Sequence, residues 1–454
     1  MRWVLQLVET GRDGKVRCTD VMELVRPDNL REISDLGLTL AEAKQLQARV
    51  QQEVAGEKAM SHGTVRPDCQ ACGGACHVKD YRDHHIATLF GRVTVCLPRF
   101  RCATCGAVGT GIRWPSNCRS TPELDELRAH FSALMTYRVA AETLGQMFPI
   151  DSGKCHETLR QHTLKLGAQL PDRPVVQPST AAAAIALSVD GTFIRSCEEG
   201  ERHFEVRVGN VETEGGGRQV FGAVAKAGTD FVARIGQKLK AVGFTDDTEV
   251  TGFTDGCEGL RSILVAAGVT KPPILDWFHI AMRLQHLEQI AGSLSVDTPE
   301  RGAAKAVIVE EVEHLKWRLW NGKAKDAQIS IERIRAVMHH FQSEKGERKS
   351  SAPSSKLWTA LQALDGYLTG QSDWMVNYAE RHRAGLRVGT AITEGTANFL
   401  VNRRMNKSQQ MRWTRLGADR LLQVRCAVYN GTIGAGLGAR FDPAPPHSHA
   451  ILAA

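Results

Sequence analysis

The spacing of apolar and polar residues changes several times along the chain. Two alternating stretches, Trp3–Val8 and Val16–Val25, flank the turn at 11–14 and predict a β-hairpin. The following stretch from Thr39 to Lys58 is rich in Ala, Glu, Gln and Leu, which predicts a helix. We therefore expect residues 1–65 to form an amino-terminal hairpin and helical region.

A helical period dominates residues 119–170. Apolar residues recur there at the spacing of one helix face, at Leu124, Leu127, Phe131 and Leu134. Arg138–Met147 and His156–Leu166, separated by a turn near 149–153, fit a helix-turn-helix. The second helix would then be the recognition helix, with Arg160 and Lys165 as candidate DNA contacts. An ordinary three-helix bundle would give the same pattern, so both interpretations stay open.

Strands and helices alternate from residue 182 onward. Strands are predicted at 185–189, 203–211, 219–224, 249–254 and 273–275, and helices at 230–242 and 258–267. This order is typical of an α/β sheet covered by helices. From Ile280 to Tyr378 the pattern is almost purely helical, and five tryptophans are candidates to pack these helices: Trp277, Trp317, Trp320, Trp358 and Trp374.

Charge is distributed unevenly along the chain. The formal net charge is +7, but the segment from Arg381 to Arg425 holds ten Arg or Lys against the two acids Glu394 and Asp419. Such an excess indicates a phosphate-rich partner, although a solvated basic helix face would also produce it. The sequence has no apolar run long enough to span a membrane and no signal peptide, so we expect a cytoplasmic protein without a membrane partner.

Cysteines supply the first candidate chemistry. Seven of the twelve lie between Cys69 and Cys118, which favours metal binding over disulfides in a chain without an export signal. Two C-x2-C pairs, each followed by Gly, predict a zinc ribbon in residues 66–118, with Zn²⁺ held by Cys69, Cys72, Cys102 and Cys105. Alternating residues between the pairs predict a hairpin that joins them. Four free thiols would be the plainer interpretation, and further candidate ligands are Cys76, Cys96, His77, His84 and His85.

Acidic residues supply the second candidate chemistry. Asp190 and Asp255 each end a predicted strand, and each is followed by Gly. Functional groups gather at strand ends in open α/β sheets, although a single Asp-Gly is usually a turn. Two matching pairs therefore predict a site. Glu394 begins a helical, basic segment, where it could also be a helix-terminal acid that the helix dipole stabilises.

Four motifs carry a resemblance to a known family: 188–192 (SVDGT), 254–256 (TDG), 274–279 (ILDWFH) and 394–398 (EGTAN). In this order they resemble bacterial insertion-sequence transposases of the mutator-like DDE group, and the run from Arg403 to Ala418 continues the likeness. The resemblance covers roughly residues 65–430. It implies a multidomain α/β protein with an RNase H-like catalytic core in residues 180–280 and 386–430, interrupted by an inserted helical domain in residues 281–385.

The resemblance also implies site residues. Asp190, Asp255 and Glu394 would form a catalytic triad that holds two Mg²⁺ (or Mn²⁺) ions. The family's Asp-x-x-His element corresponds to Asp276 and His279, where His279 would orient the active site or contact DNA, unless it only packs beside Trp277. Basic residues after Glu394 are placed to bind phosphates of the DNA: Arg403, Arg404, Lys407, Arg412 and Arg415.

The expected activity is cleavage of transposon ends and transfer of the freed 3′-hydroxyl strand to target DNA. No nucleotide is needed, because the sequence lacks a phosphate-binding P-loop motif. We expect a homodimer or larger assembly, associated with the nucleoid, and a disordered tail over 431–454. Three alternatives stay open: an RNase H-like nuclease or resolvase without strand transfer, a domesticated DNA-binding regulator, and a zinc-ribbon protein acting on RNA.

Overall fold

A computed structural model describes residues 1–11, 14–29, 32–112, 119–150, 155–170, 178, 180–228, 230–269, 271–341, 353–389, 395–406 and 411–433. The chain divides into two compact units. The first comprises Met1–Pro171 and Gly431–Ala454, and the second comprises Asp172–Asn430. The prediction of a disordered tail falls on 434–454 and lies outside the described residues.

The first unit begins with the predicted hairpin. Strands β1 (Arg2–Thr10) and β2 (Val16–Val25) pair antiparallel, which confirms that prediction. Helix α1 (Leu40–Thr64) follows, and Thr39 forms a capping box with Glu42: its hydroxyl accepts from the Glu42 amide, and the Glu42 carboxylate accepts from the Thr39 amide. Reciprocal caps of this kind satisfy two helix-end amides, so α1 begins one residue after its predicted start.

A three-stranded antiparallel sheet carries the cysteine pairs. Strands β3 (Cys76–Thr88), β4 (Gly91–Cys102) and β5 (Val108–Gly109) lie in that order. The long β3–β4 hairpin confirms the predicted hairpin between the pairs, since Cys76 is paired with Cys102. Helix α1 covers this sheet, with Ala59 packed on the buried side chains Val93, Val95 and Leu97.

Three helices complete the first unit: α2 (Pro122–Leu134), α3 (Tyr137–Met147) and α4 (His156–Gln169). Their apolar faces share one core, formed by Leu89, Leu124, Leu127, Ala140, Ala141, Leu144, Ile150 and Leu159. The two helices of the predicted helix-turn-helix are therefore present. Most of the predicted turn, 151–153, lies outside the described residues, and a three-helix bundle remains an equal interpretation.

The second unit is built on a mixed five-stranded sheet. Its strands are β6 (Ala184–Arg195), β7 (His203–Thr213), β8 (Arg218–Val224), β9 (Glu249–Thr254) and β10 (Ile274–Leu275). Their order is β10-β9-β6-β7-β8. The pairs β6–β7 and β7–β8 are antiparallel, whereas β6–β9 and β9–β10 are parallel. All five predicted strands are confirmed, most with shifted ends.

Each parallel strand is reached through a helix. Helix α5 (Phe231–Ala241) connects β8 to β9, and α6 (Glu258–Ala266) connects β9 to β10. Both pack on one face of the sheet, where their apolar side chains join the inward residues of β6 such as Leu187 and Val189. Successive strand residues point to opposite faces, so Asp190 belongs to the other face, with Ala186 and Ser188.

The predicted helical region is confirmed. It comprises α7 (Trp277–Gly292), α8 (Pro299–Trp320), α9 (Ala324–Val337), α10 (Pro353–Gly370) and α11 (Tyr378–Arg383). These helices share a core with Phe253, Ile274 and Leu275 of the sheet.

The expectation that five tryptophans pack this region is only partly right. Trp277 and Trp320 meet at 4.8 Å between ring centroids, beside Tyr378, and Trp374 packs against the same core. Trp317 and Trp358 were wrongly included, because they are 55% and 41% exposed.

The carboxyl-terminal part lies against the sheet. A π-helix, Asn398–Asn406, is followed by α12 (Arg415–Tyr429). Two side chains of α12 form hydrogen bonds with the backbone of the edge strand β8. Asp419 accepts from the Val224 amide at 2.9 Å, and Gln423 donates to the Gly222 carbonyl at 3.0 Å. These bonds occupy polar groups that an edge strand would otherwise expose. No helix in the described part of the chain is both long and apolar enough to cross a membrane.

Candidate functional site

Two of the three predicted carboxylates lie on neighbouring strands of the mixed sheet. Ser188 of β6 is in register with Phe253 of β9, so Asp190 and Asp255, each two residues further on, stand at the same level. Adjacent strands are about 4.8 Å apart, and residues in register on parallel strands point to the same face. Both side chains are half-buried. These two predicted residues therefore follow paired positions on neighbouring strands, whose spacing places them near each other.

One part of the sequence prediction for Asp190 is wrong. Asp190 does not end its strand, because β6 continues to Arg195 and pairs with β7 as far as His203. Asp255 does follow the end of β9 at Thr254. The longer β6 arises because its antiparallel neighbour β7 extends beyond the parallel part of the sheet, where β9 has already ended.

The Asp255 side chain is oriented by its own turn. Its Oδ1 accepts from the Cys257 amide at 2.9 Å and from the Thr254 hydroxyl at 3.3 Å. Gly256 has φ +96°, a conformation that side-chain-bearing residues rarely adopt, and a Cβ there would lie 2.9 Å from the Gln371 side chain. The Gly that follows Asp255 is thus required by both the backbone and its close neighbour.

Asp276 continues the same line of acids. Leu275 of β10 is in register with Thr254, so Asp276 lies beside Asp255, and its amide donates to the Thr254 carbonyl at 3.0 Å. Asp276 is fully buried and caps α7 by accepting from the Phe278 amide at 2.8 Å. His279 Nε2 is 3.8 Å from Asp276 Oδ2 and is half-buried. His279 therefore lies in the neighbourhood of the aspartates, one helical turn into α7.

The third predicted carboxylate, Glu394, lies outside the described residues, as does the candidate DNA contact Lys407. The described segment that follows Glu394 is attached to the strand that carries Asp190. Asn406 Nδ2 donates to the Phe193 carbonyl at 3.1 Å, and the Trp413 amide donates to the Arg195 carbonyl at 3.0 Å.

The basic residues predicted to bind DNA have very different environments. Arg403 and Arg412 are exposed. Arg404 is 1% exposed, and its guanidinium lies 5.6 Å from the Trp413 ring. Arg415 forms ion pairs with Glu198 and Glu201 and donates to the Ala225 carbonyl. Because Arg404 and Arg415 are engaged inside the fold, we no longer include them among the proposed DNA contacts.

The recognition-helix candidates also differ. Arg160 forms an ion pair with Glu157 one turn earlier on α4, at 2.7 Å, and is half-buried. Lys165 is exposed on the same helix. A side chain already paired with an acid is less available to a phosphate, which weakens the case for Arg160 as a DNA contact.

The four cysteines of the two C-x2-C pairs form a cluster in the first unit that could hold a metal ion. The sulfur atoms of Cys69, Cys72, Cys102 and Cys105 all lie within 4.8 Å of one another. The two pairs have matching turns: the Gly73 amide donates to the Cys69 carbonyl at 2.8 Å, and the Gly106 amide donates to the Cys102 carbonyl at 3.1 Å. Four thiolates at this separation suit tetrahedral Zn²⁺.

Backbone amides favour the thiolate form in this cluster. The Cys105 amide, together with that of Thr104, donates to Cys102 Sγ and lowers the pKa of Cys102 to about 6 against the opposing effect of burial. The pKa of Cys69 is lowered in the same way, by the amides of Ala71 and Cys72. Metal ligation requires deprotonated sulfur, which the turns favour at Cys69 and Cys102. The Gly74 amide acts in the same direction at Cys72, but the neighbouring sulfurs of Cys105 and Cys102 outweigh it and raise the pKa of Cys72 to about 12. The other candidate ligands, Cys76, Cys96, His77, His84 and His85, lie outside the four-sulfur group.

Sequence patterns did not reveal the residues that support the Asp255 turn. The Tyr367 hydroxyl donates to the Asp255 carbonyl oxygen at 2.8 Å, although 112 residues separate them. The Arg283 guanidinium lies 4.1 Å from the centroid of the Tyr367 ring. Neither residue belongs to a local motif, so only the tertiary fold could bring them to the site.

The chain thus contains a four-cysteine cluster in its first unit and a row of aspartates within or just after the parallel strands of its second. No protein-family model matches this chain, and comparison with curated proteins finds no match either. Its function is therefore inferred from these two groups of residues.

Proposed function

We propose that this protein is a DNA transposase that cleaves transposon ends and joins the freed 3′ strand to target DNA. The observation that carries the proposal is the register of β6 with β9, in which Asp190 and Asp255 each come two residues after the paired residues Ser188 and Phe253. Two carboxylates at one level of adjacent strands suit phosphodiester chemistry better than either does alone. The resemblance in sequence motifs supplies the third acid, Glu394.

The sheet supports an RNase H-like catalytic core. Such a core has three antiparallel strands extended on one side by two parallel strands, and the order β10-β9-β6-β7-β8 has this form. The helices α7–α11 lie between β10 and the segment that follows Glu394, where the family carries an inserted helical domain. The bonds from Asn406 and Trp413 to β6 tie that segment to the strand of Asp190.

The aspartates have the donor atoms that such chemistry needs. Asp190 and Asp255 offer carboxylate oxygens, which Mg²⁺ or Mn²⁺ prefers. A pair of such ions, held by these residues and Glu394, would stabilise the attacking and departing oxygens of an in-line displacement. The half-buried setting of both aspartates leaves one side of each open to substrate.

The reaction has two balanced steps. Water oxygen bonds to phosphorus at the transposon end while the bond from phosphorus to the 3′ oxygen breaks, which releases a 3′-hydroxyl and a 5′-phosphate. That hydroxyl then bonds to a phosphorus of the target while the target's own bond to its 3′ oxygen breaks. One phosphodiester replaces another in this second step, so no nucleotide is consumed.

Other parts of the chain would bind the DNA. Exposed Arg403 and Arg412, with Lys407, are proposed to contact phosphates near the cut, and Lys165 with the zinc ribbon would contact the element's end. Arg160, paired with Glu157, is a weaker candidate. Two ends must be held together during transposition, so we also propose a homodimer or larger assembly on the nucleoid.

The decisive experiment is strand transfer by the purified full chain with Mg²⁺ or Mn²⁺ on a duplex that carries its element's end. Wild-type protein should cut this duplex and join the 3′ end to a target plasmid. Asp190→Ala should still bind the duplex without joining it. Cutting without joining would favour a nuclease or resolvase, binding without cutting would favour a regulator, and either result would refute the proposal.

A further inference from the structure

Tyr367 of the helical insertion contacts the turn that carries Asp255. Tyr367 projects from α10, and its hydroxyl donates to the backbone carbonyl of Asp255 at 2.8 Å. Burial raises the pKa of Tyr367 to about 12, so the hydroxyl keeps its proton at neutral pH. Gln371, one turn further along the chain, lies against Gly256 and accepts from Arg261. The insertion therefore fixes the backbone that carries Asp255.

Arg283 lies on the other side of this tyrosine. It comes one turn after His279 on α7, and residues four apart share a helix face. Its guanidinium carbon is 4.1 Å from the centre of the Tyr367 ring, while the side chain as a whole is exposed. Stacking on an aromatic ring orients a guanidinium without occupying all of its N–H donors.

The neighbouring arginine provides a contrast. Arg261 also stacks on an aromatic ring, that of Trp374 at 4.7 Å, but its guanidinium donates to Gln371. Within the described residues, no carboxylate forms an ion pair with Arg283. Arg261 thus serves the fold, whereas the charge of Arg283 faces solvent beside the aspartates.

We propose that Arg283 binds a backbone phosphate of duplex DNA next to the Asp190–Asp255 pair, and that Tyr367 is the positioning residue that holds the Asp255 turn beneath it. A planar guanidinium can give a phosphate two parallel hydrogen bonds. This inference rests on the proposed function, since it adds a DNA contact to that active site. It assigns the helical insertion a direct part in holding the strand to be cut.

DNA affinity and joining kinetics separate the two roles. The probe is a short mixed-sequence DNA duplex, titrated by fluorescence anisotropy over a range of salt concentrations with the full chain. Arg283→Ala should lower the slope of log affinity against log salt by about 0.9 and weaken binding by up to about tenfold at low salt. Arg283→Lys should keep the slope because it keeps the charge.

Tyr367→Phe retains the ring under Arg283 and removes the hydroxyl, and with it the bond to the Asp255 carbonyl. It should leave DNA affinity and KM for DNA unchanged while strand-transfer kcat falls about tenfold. The control is Lys325→Ala, which removes an exposed charge from the first turn of α9; Lys325 has no contact with the Asp255 turn in the described structure. It should change neither slope nor kcat.

Each result decides a separate point. A wild-type slope in Arg283→Ala, or an equal loss of slope in Lys325→Ala, would overturn the phosphate contact. A rise in KM without a fall in kcat for Tyr367→Phe would overturn its positioning role. If wild-type protein binds DNA and Arg283→Ala lowers the slope, but no strand is ever cut, the contact stands and the proposed transposase function fails.

Discussion

Asp190 and Asp255 lie at the same level of two parallel strands, two residues beyond the paired residues Ser188 and Phe253. Neighbouring strands are about 4.8 Å apart, and the two ions of such sites are about 3.5–4 Å apart. Carboxylates carried by neighbouring strands are therefore close enough to hold the proposed pair of ions. This relationship makes the two aspartates the most direct test of the proposal.

Asp190→Asn and Asp255→Asn should each lower Mn²⁺- or Mg²⁺-dependent strand cleavage by at least about 100-fold. An amide keeps the size of the side chain but loses the negative charge that holds a divalent cation. DNA affinity, measured by anisotropy, should remain near that of wild type. Initial rates of cleavage on a labelled duplex check the prediction.

Asp247→Asn is the matched control for these variants. Asp247 is exposed in the turn before β9, at the opposite end of the strand from Asp255. It should cleave at the wild-type rate. Equal activity in all three variants would remove both aspartates from the active site.

The sequence predicted these aspartates because each follows an apolar run that reads as a strand, and each is followed by Gly. It could not predict that β6 continues past Asp190, because that extension depends on pairing with β7 rather than on local pattern. Tyr367 and Arg283 could not be predicted at all. Tyr367 bonds to Asp255 across 112 residues, and Arg283 is linked to that turn only through its stacking on Tyr367, which no periodicity encodes.

Removal of zinc should destabilise the first unit. The four sulfurs within 4.8 Å would repel one another as thiolates, and their ligation contributes folding free energy. Freshly purified reduced protein should contain one zinc per chain by elemental analysis. Cys102→Ser should lose that zinc, and chelation should lower the melting temperature of wild type. Cys96→Ser, at an exposed thiol on the same strand, should retain the metal.

Zinc should also be released by acid. The pKa of Cys102 is lowered to about 6 in the folded chain, from an ordinary thiol value near 9. A lowered folded-state pKa stabilises the fold above the unfolded value, and that contribution is lost as the pH falls through about 6. A colorimetric chelator should therefore capture zinc much faster at pH 5 than at pH 7.5. Equal release at both pH values would contradict the thiolate assignment.

The basic segment should separate into binding and structural arginines. Arg403→Ala and Arg412→Ala should each reduce the salt slope of DNA affinity by about 0.9, because each removes one phosphate contact. Arg415→Ala should instead destabilise the second unit by about 2 kcal/mol, because it leaves Glu198 and Glu201 without their shared cation. Anisotropy and urea denaturation of all three variants distinguish the two effects.

Charge counting could not have made this separation. The sequence shows ten basic residues in one segment, but tertiary packing determines which of their side chains are buried and which are exposed. Arg404 and Arg425 are among the largest fully buried side chains, and Arg425 donates to the Leu400 and Phe399 carbonyls. Buried arginines that bond to backbone carbonyls and exposed arginines that are proposed to bind a phosphate look identical in composition.

The edge of the sheet provides a last test, which is independent of catalysis. Asp419 of α12 accepts from the Val224 amide of β8 at 2.9 Å, and both residues are buried. Asp419→Ala should lower the free energy of unfolding by about 1–3 kcal/mol, because it leaves a buried amide without its acceptor. Asp419→Asn keeps an oxygen at this position, so its free energy of unfolding should fall clearly less.

Urea denaturation followed by circular dichroism measures both variants. Equal decreases in the free energy of unfolding would mean that the bond to Val224 does not stabilise the edge strand. A loss confined to Asp419→Ala would mean that α12 protects β8 through this side chain as well as by covering it. Helix α12 would then also support the position of Asp190 on β6, since β8, β7 and β6 are joined by continuous backbone pairing.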